Sequence, residues 1–418
     1  MVLSPDLARV HTFDKCSQRD EIMRFFSAQS TAGTVSGGVA EIAAQIESCG
    51  FGTPDFVALH FGVGLDAAEL HDAARSALGV TALHGGSSCL GIMGAAGVDI
   101  GGAGLGAFAI WDAKGSFGTS SVDLGENAEA AAQRAGLAAL EHAGRPGEIP
   151  EMVWITVAPG CEEQVIAGLR SVVGADTLIV GGSSADNDVS GKWAQFGPDA
   201  LHSNGLVITV LFPSVPVASV YQSGYAPTGA SGVVTRVEGR RVFEIDNRPA
   251  SEVLHDWSGG AVSLADEEPH SILAEATLWP LGRVTRQVAG VPFHLLAHPA
   301  VAHTDGAIDL FASVFEGDRL WQMQGSADSL VARAGRVAAQ SRQNAGNQIS
   351  GALVVYCGGC MLAVRDRMEE VSAGIKAELG DIPWLGVFTF GEQGAPAGDV
   401  AKHGNLMISC TVFSADDV

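Results

Sequence analysis

The sequence predicts an α/β protein, with repeated βαβ units in an N-terminal domain and a mixed α+β C-terminal domain. The first observation is a local pattern that occurs three times. In DFVALHFGVGLDAAELHDAARSALGVTALHGGSS, an apolar run (Phe56–His60) leads through an Ala-rich helical stretch to a second apolar run ending in Gly85-Gly86-Ser87-Ser88. EMVWITVAPGCEEQVIAGLRSVVGADTLIVGGSS repeats that order without a gap and ends in Gly181-Gly182-Ser183-Ser184. ALVVYCGGCMLAVRDRMEEVSAGIKAELGDIPWLGVFTFGEQG repeats it again and ends in Gly391-Glu392-Gln393-Gly394. Strand, helix and strand in this order make a βαβ unit. The second observation is a change of pattern at Pro213–Pro216, after which short strand-like runs alternate with turns. Ligands of open α/β sheets bind beyond the carboxyl ends of the strands, so the three polar tips are the first candidates for function.

In chain order, residues 1–30 read as a polar lead-in with a helix around Asp20–Ala28. Residues 35–49 have helical apolar spacing and feed the first strand. The two gapless units span about 55–115 and 151–214, each trailed by another apolar strand, Gly106–Trp111 and Gly205–Phe212. ENAEAAAQRAGLAALEHAG, residues 126–144, is a linking helix; Gly144 is placed to end it and Pro146 follows. The region 217–325 reads as mainly antiparallel sheet, with a hairpin signal at Val237-Glu238-Gly239-Arg240. Ala327–Asn344 is a helix with Arg333, Arg336 and Arg342 expected on its polar side. The third unit follows, and its trailing strand NLMISCTVF mirrors NGLVITVLF after the second.

Composition excludes several classes. The chain has 418 residues, enough for two or more domains. No run approaches the roughly 18 to 20 apolar residues of a membrane helix. The first residues carry charges throughout and no apolar core, so a secretory signal is not expected and a cytoplasmic location is. A net charge of −23 opposes nucleic acid and anionic membrane as partners. Seven cysteines at scattered spacing are not a disulfide framework. There is no GxSxG elbow, HExxH, Walker motif or complete GxGxxG fingerprint.

Several residues carry candidate chemistry. The Gly-Gly-Ser-Ser tips offer backbone N–H groups and hydroxyls that could bind an anion, or they could be tight turns. Around the second tip Ser183, Ser184, Asp186 and Asn187 gather, with Trp193 shortly after; Ser87 holds the corresponding place in the first, next to Cys89. Cys357 and Cys360 have CxxC spacing after a strand. That spacing suits half a zinc site, a thiol–disulfide couple or a packed turn, but no second CxxC completes a metal site. Glu392 lies among glycines and needs a partner if buried: a ligand, a metal or a helix cap.

The ordered set HGGSSCLG, VGGSSADND, SNGLVITVLFP, SGYAPTGASGVVTRVEGRRVFEIDNRPASEVL, VVYCGGCMLAVRDR, LGVFTFGEQG and NLMISCTVF resembles the FIST family. An N-terminal FIST domain would cover about 35–215 and a C-terminal one about 216–415. The resemblance implies a small-ligand sensor that works with a signalling partner. Its NosP-like branch implies non-covalent haem (haem b), nitric oxide as the signal and a histidine kinase as partner. Where many FIST C-terminal domains have Cys, Gly and then Arg, this chain has Cys357-Gly-Gly-Cys360. Haem needs an axial ligand in an apolar pocket. His298 and His294, in VPFHLLAHPAV, are the candidates; His60 and His84 end repeat strands. The expectation is a sensor whose ligand lies at the junction of the two domains. The alternative is an enzyme in the same cleft, with Cys89, Cys357 or Cys360 as nucleophile and Glu392 as acid or base. A structural interaction module is a third reading.

Overall fold

A computed structural model describes residues 22–288 and 290–415. Within them the chain builds one unit three times, in the order outer strand, helix, strand, helix, strand, hairpin, closing strand. In the first unit these are Arg24–Ser30, Val35–Glu47, Phe56–Gly62, Ala67–Leu78, Ala82–Ser88, the hairpin Ile92–Gly94 with Gly97–Asp99, and Leu105–Trp111. In the second they are Ser116–Asp123, Ala128–His142, Met152–Val157, Glu162–Val173, Leu178–Ser183, Gln195–Phe196 with Leu201–His202, and Gly205–Phe212. In the third they are Val217–Ser223, Ala327–Asn344, Ile349–Cys357, Met368–Leu379, Trp384–Thr389, Glu392–Gly394 with Lys402–Gly404, and Met407–Ser414. The third unit adds a short helix, Gly358–Ala363, and a mixed α+β insert between its outer strand and first helix. The first two units match without a gap: Phe56 pairs with Ala82 and Met152 with Leu178 in parallel ladders of equal spacing.

Each unit forms a mixed sheet, and each sheet is completed by the hairpin of another unit. The first unit's hairpin pairs with Trp384–Thr389 of the third. The second unit's hairpin pairs with Ala82–Ser88 of the first, and the third unit's hairpin with Leu178–Ser183 of the second. The exchange is cyclic. It covers what would otherwise be three open parallel edges, each a liability for unwanted pairing.

Helices cover one face of each sheet, and the other faces meet in a shared core. Phe56, Phe108, Trp154, Leu211, Leu353, Leu385 and Phe413, drawn from all three units, form one cluster there. Strands buried on both faces read as continuous apolar runs rather than as alternation. That explains why FVALHFG, MVWITV and ISGALVVYC lack a polar face. Three of the helix starts are capped by side chains as follows: Asp66 accepts from Glu69 N, Asn127 from Ala130 N, and Ser326 forms a capping box with Ser329. The linking helix ends just before Gly144, which is left-handed at φ 69°.

The insert is mainly antiparallel, as expected. Its nine-stranded sheet runs from His270–Ser271 through Ala226–Glu238 to Val291–Ala297. Glu238 pairs with Arg241, so Gly239-Arg240 is the hairpin turn read from the sequence.

Three expectations are corrected. No helix spans Arg24–Ala28: Arg24–Ser30 is a strand in register with Leu105–Trp111. The ring of Phe25, 4.9 Å from that of Phe413, shows that long-range packing decides this segment. Asp20 and Glu21 lie outside the described residues. Arg333 is not on a polar helix face but 1% exposed. Glu392 is not a strand-end tip; it begins the exchanged hairpin and pairs with Gly182.

Candidate functional site

The three strand ends converge, and they bind one another. Cys89 N donates to Phe388 O at 3.0 Å, Ala185 N to Ser87 O at 3.1 Å, and Phe390 N to Ser183 O at 3.1 Å. These bonds run from unit one to three, two to one and three to two, closing a ring. The tip side chains are consumed in the same joint. Ser87 Oγ accepts from Ala194 N. Ser183 Oγ donates to Glu162 Oε1 at 2.8 Å. Ser184 Oγ donates to Val157 O and accepts from Gln195 Nε2. Asp186 is buried and accepts from the backbone N–H groups of Asp188, Val189 and Lys192, which folds its own loop.

Beside this joint lies a partly open cavity of about 110 Å³. Asn187, Asp188 and Val189 come from the loop after Leu178–Ser183. Cys357, Gly359, Leu362 and Phe390 come from the strand ends of the third unit, and Leu273, His298 and Phe311 from the insert. The cavity thus sits beyond the carboxyl ends of parallel strands in two units, roofed by the insert. Leu362, 42% exposed, stands at the mouth. The ring of Trp193 meets Phe390 edge-on at 6.2 Å, behind the lining. Of the sequence-predicted residues, the cavity gathers Asn187, His298 and Cys357. Larger hollows, of about 460 Å³ at Tyr221 and Pro292 and about 520 Å³ at Arg283 and Lys402, are more open grooves that hold none of them.

His298 is buried, and burial lowers it to about 4, against a smaller opposing effect of its bond to Leu273. Its Nε2 lies 2.9 Å from Leu273 O, which can only accept. The neutral ring therefore carries its proton on Nε2 and keeps a free lone pair on Nδ1. His294 does not line the cavity; it is half-buried with its ring edge-on to Trp321. His60 and His84 are core residues: His60 Nδ1 donates to Gly86 O, and His84 bridges Thr209 and Thr156. The residues at His298 do not fit a haem in this arrangement. Nε2 is committed to a carbonyl, and the cavity is far below the roughly 300 Å³ at which ligand pockets for larger molecules begin.

The thiols divide sharply. Burial pushes Cys89 up to about 12, with the Asp186 charge adding to it. Burial also raises Cys357. Burial raises Cys360 too, but the hydrogen bond from Cys357 and the Arg333 charge outweigh it and bring Cys360 down to about 6. Arg333, on the opposing helix, donates from Nη1 to Leu406 O at 2.8 Å. Its Nε and Nη2 are buried without a hydrogen-bond partner, and its charge lies over the rings of Tyr356 (5.1 Å) and Tyr225 (5.9 Å). Glu392 is closed off from the cavity. Its carboxyl is pushed well up by burial, and it accepts from Thr389 Oγ1 and Met407 N.

Residues 55–248 match the FIST N domain and residues 250–395 the FIST C domain. The chain belongs to the FIST family. FIST domains are small-ligand sensing domains of signalling proteins. The boundary between the two matches falls inside the insert, at the strand Arg248–Pro249, and not between units. No curated protein matches the chain. Among solved structures it is similar to a cyanuric acid hydrolase from A. caulinodans at 11% identity and TM-score 0.39, covering 95% of this chain and all of that one. It is similar to a chorismatase at 10% identity and TM-score 0.35, covering 94% of this chain and 99% of that one. Likeness at this level says nothing about chemistry.

Two features of this FIST chain escaped the sequence reading. One is Arg333, hidden in a helix that reads as amphipathic. The other is an ion cluster between the insert and the second unit. Arg240 Nη2 lies 2.6 Å from both Glu162 and Glu163, and Ser313 N donates to Glu163 Oε1. Burial opposes ionisation of Glu163, but His403 and Arg240 hold it down at about 2. The hairpin turn at Gly239-Arg240 was legible, but not what the arginine would reach. Among the described residues, no group of three or more His, Cys, Asp or Glu is placed to hold a metal, and no helix is long and apolar enough to cross a membrane.

Proposed function

We propose that the chain is a small-ligand sensor whose ligand occupies the cavity lined by His298, Cys357 and Phe390. The observation that carries this reading is the cavity's place. It is lined by two units and the insert at once, so an occupant touches three parts of the chain. A ligand that binds one arrangement of those parts better than another shifts their equilibrium, and that is all a sensor requires. A cavity of about 110 Å³ takes a molecule no larger than about benzene, which fits an apolar cavity of roughly 150 Å³. Phe311, Leu273, Phe390 and Leu362 favour an apolar or aromatic body. The free Nδ1 of His298 favours one hydrogen-bond donor on it. Haem, nitric oxide and a histidine kinase partner rest on the family resemblance alone, and haem would require this cavity to open.

The test is a thermal-shift and calorimetric screen of small heteroaromatic donors against the native chain and Leu362→Trp, which plugs the mouth. The expected result is a hit that raises the stability of the native chain, by about 2.7 kcal/mol at one hundred times Kd, and fails to bind the variant. A Soret band on adding haem that is lost in His298→Ala would replace this reading with the haem one.

A further inference from the structure

Cys357 ends its strand and is the N-cap of the helix Gly358–Ala363, which makes Cys360 the third helical residue. These two positions face each other across the first turn, so CxxC spacing brings the sulfurs together. Both are free, buried cysteines. The two sulfurs have different surroundings. Cys357 lines the cavity; a Cβ built on Gly359 would touch both Cys357 Sγ (3.6 Å) and His298 Cε1 (3.4 Å). Cys360 lies one turn deeper, fully buried, 3.5 Å from the Tyr225 hydroxyl and beside Arg333. Arg333 is a buried cation for which no carboxylate salt bridge is found among the described residues, and two of its nitrogens lack partners. A buried guanidinium needs a compensating anion, and the Cys360 sulfur is the group in place to be one.

We propose that Cys357 and Cys360 are an oxidation site for a small hydroperoxide, which enters through the His298 cavity and leaves the pair as a disulfide. The proposal rests on the cavity of the preceding section as the way in. In the first step the Cys357 proton passes to Cys360, and the Cys357 thiolate attacks the hydroperoxide. The oxygen–oxygen bond breaks, Cys357 becomes a sulfenic acid, and the leaving alkoxide or hydroxide takes the proton back from Cys360. In the second step the Cys360 thiolate attacks the sulfenic sulfur and expels hydroxide, which takes a proton from solvent to become water. Two thiol electron pairs become one sulfur–sulfur bond, and the peroxide is reduced by two electrons. The cavity selects the oxidant: about 110 Å³ admits a hydrogen-peroxide-sized molecule and excludes a glutathione-sized disulfide. Arg333 is a positioning residue that keeps Cys360 ionised. The disulfide removes its anion, leaving a buried charge whose remaining bond is to Leu406. Oxidation thereby changes the packing of the strand Met407–Ser414.

The test exposes the reduced full chain to hydrogen peroxide, blocks remaining thiols with an alkylating agent in denaturant, and maps the peptides by mass. The expected result is a Cys357–Cys360 link that forms before the partly exposed Cys49 is oxidised. Cys360→Ser removes both the group that takes the Cys357 proton and the resolving thiol, so it should form no link and should give only slow dimedone capture of a sulfenic acid on Cys357, faster as pH rises. Arg333→Lys should keep the reaction but move its pH profile upward, which a merely structural role would not do. If both thiols stay alkylatable while Cys49 oxidises, or if Leu362→Trp loses ligand binding yet oxidises at the native rate, the proposal is overturned and the sensor reading stands. Ready oxidation that slows in Leu362→Trp, with no small ligand bound by the native chain, supports this proposal and removes that reading.

Discussion

Arg333 Nη1 lies 2.8 Å from the carbonyl of Leu406, and that bond ties the first helix of the third unit to the turn before its closing strand. A charge this deep, held by one neutral acceptor and two aromatic rings, is under-compensated unless Cys360 is ionised.

Ionisation of Cys360 is therefore the first prediction. Its folded value, about 6, lies below that of an ordinary thiol. The stabilisation this provides is fully present above the unfolded thiol's pKa and is lost as pH falls through about 6. Thiolate absorbance near 240 nm (approximate, as for thiolates generally) should persist in the folded native chain at pH 7.5 and disappear in Cys360→Ser. In Arg333→Met it should appear only at higher pH. Equal titrations of native and Arg333→Met would show that the guanidinium does not hold the thiolate.

Acid should weaken the fold through buried imidazoles. Burial lowers both His60 and His298 to about 4. An unfolded histidine takes up a proton near 6.5, so protonation favours the unfolded chain. Their contribution is full above 6.5 and falls as pH drops towards 4. At pH 5 each should cost about 2 kcal/mol. Urea midpoints at pH 7.5 and 5 measure this. An unchanged midpoint would mean that these rings are not held neutral inside.

The cyclic exchange makes a packing prediction. A Cβ on Gly85 would overlap the ring of Phe196, which belongs to the second unit's hairpin. Gly85→Ala should destabilise the fold by about 1–3 kcal/mol by overpacking. Adding Phe196→Ala should recover part of that, a non-additive result expected only of touching residues. Thermal unfolding of the two single variants and the double variant decides it; strictly additive losses would place the hairpin elsewhere.

Arg240 joins the insert to the second unit. Arg240→Met would leave Glu162, 2% exposed, and Glu163 facing each other without their shared cation. Loss of one partner from a buried ion pair costs about 3–5 kcal/mol. Limited proteolysis should then begin within 224–326, and adding Glu162→Gln should restore part of the resistance. Cleavage that starts elsewhere would indicate that the insert is held by other contacts.

Much of the architecture was legible in local pattern. The apolar runs, the Ala-rich helices, the helix end at Gly144 and the turn at Gly239-Arg240 all follow from short-range chemistry, and all appear where the pattern puts them. Long-range pairing was not legible. RFFSAQS, whose first residues read as part of a helix around Asp20–Ala28, becomes a strand because Leu105–Trp111 lies beside it. The Gly-Gly-Ser-Ser segments look like ligand loops, because glycine and serine mark close approach without saying what approaches. In the fold it is the neighbouring unit.

By itself the sequence determined the threefold repeat, the strand–helix–strand core and trailing strand of each unit and the family, because these depend on periodicity and composition over tens of residues. Only the tertiary structure decided which hairpin completes which sheet, that Arg333 points inward, and that Asn187, His298 and Cys357 share one cavity. Those outcomes depend on contacts between residues up to three hundred positions apart, such as Phe388 with Ser88. Side chains that look alike along the chain become partner, core or site according to what the other units bring against them.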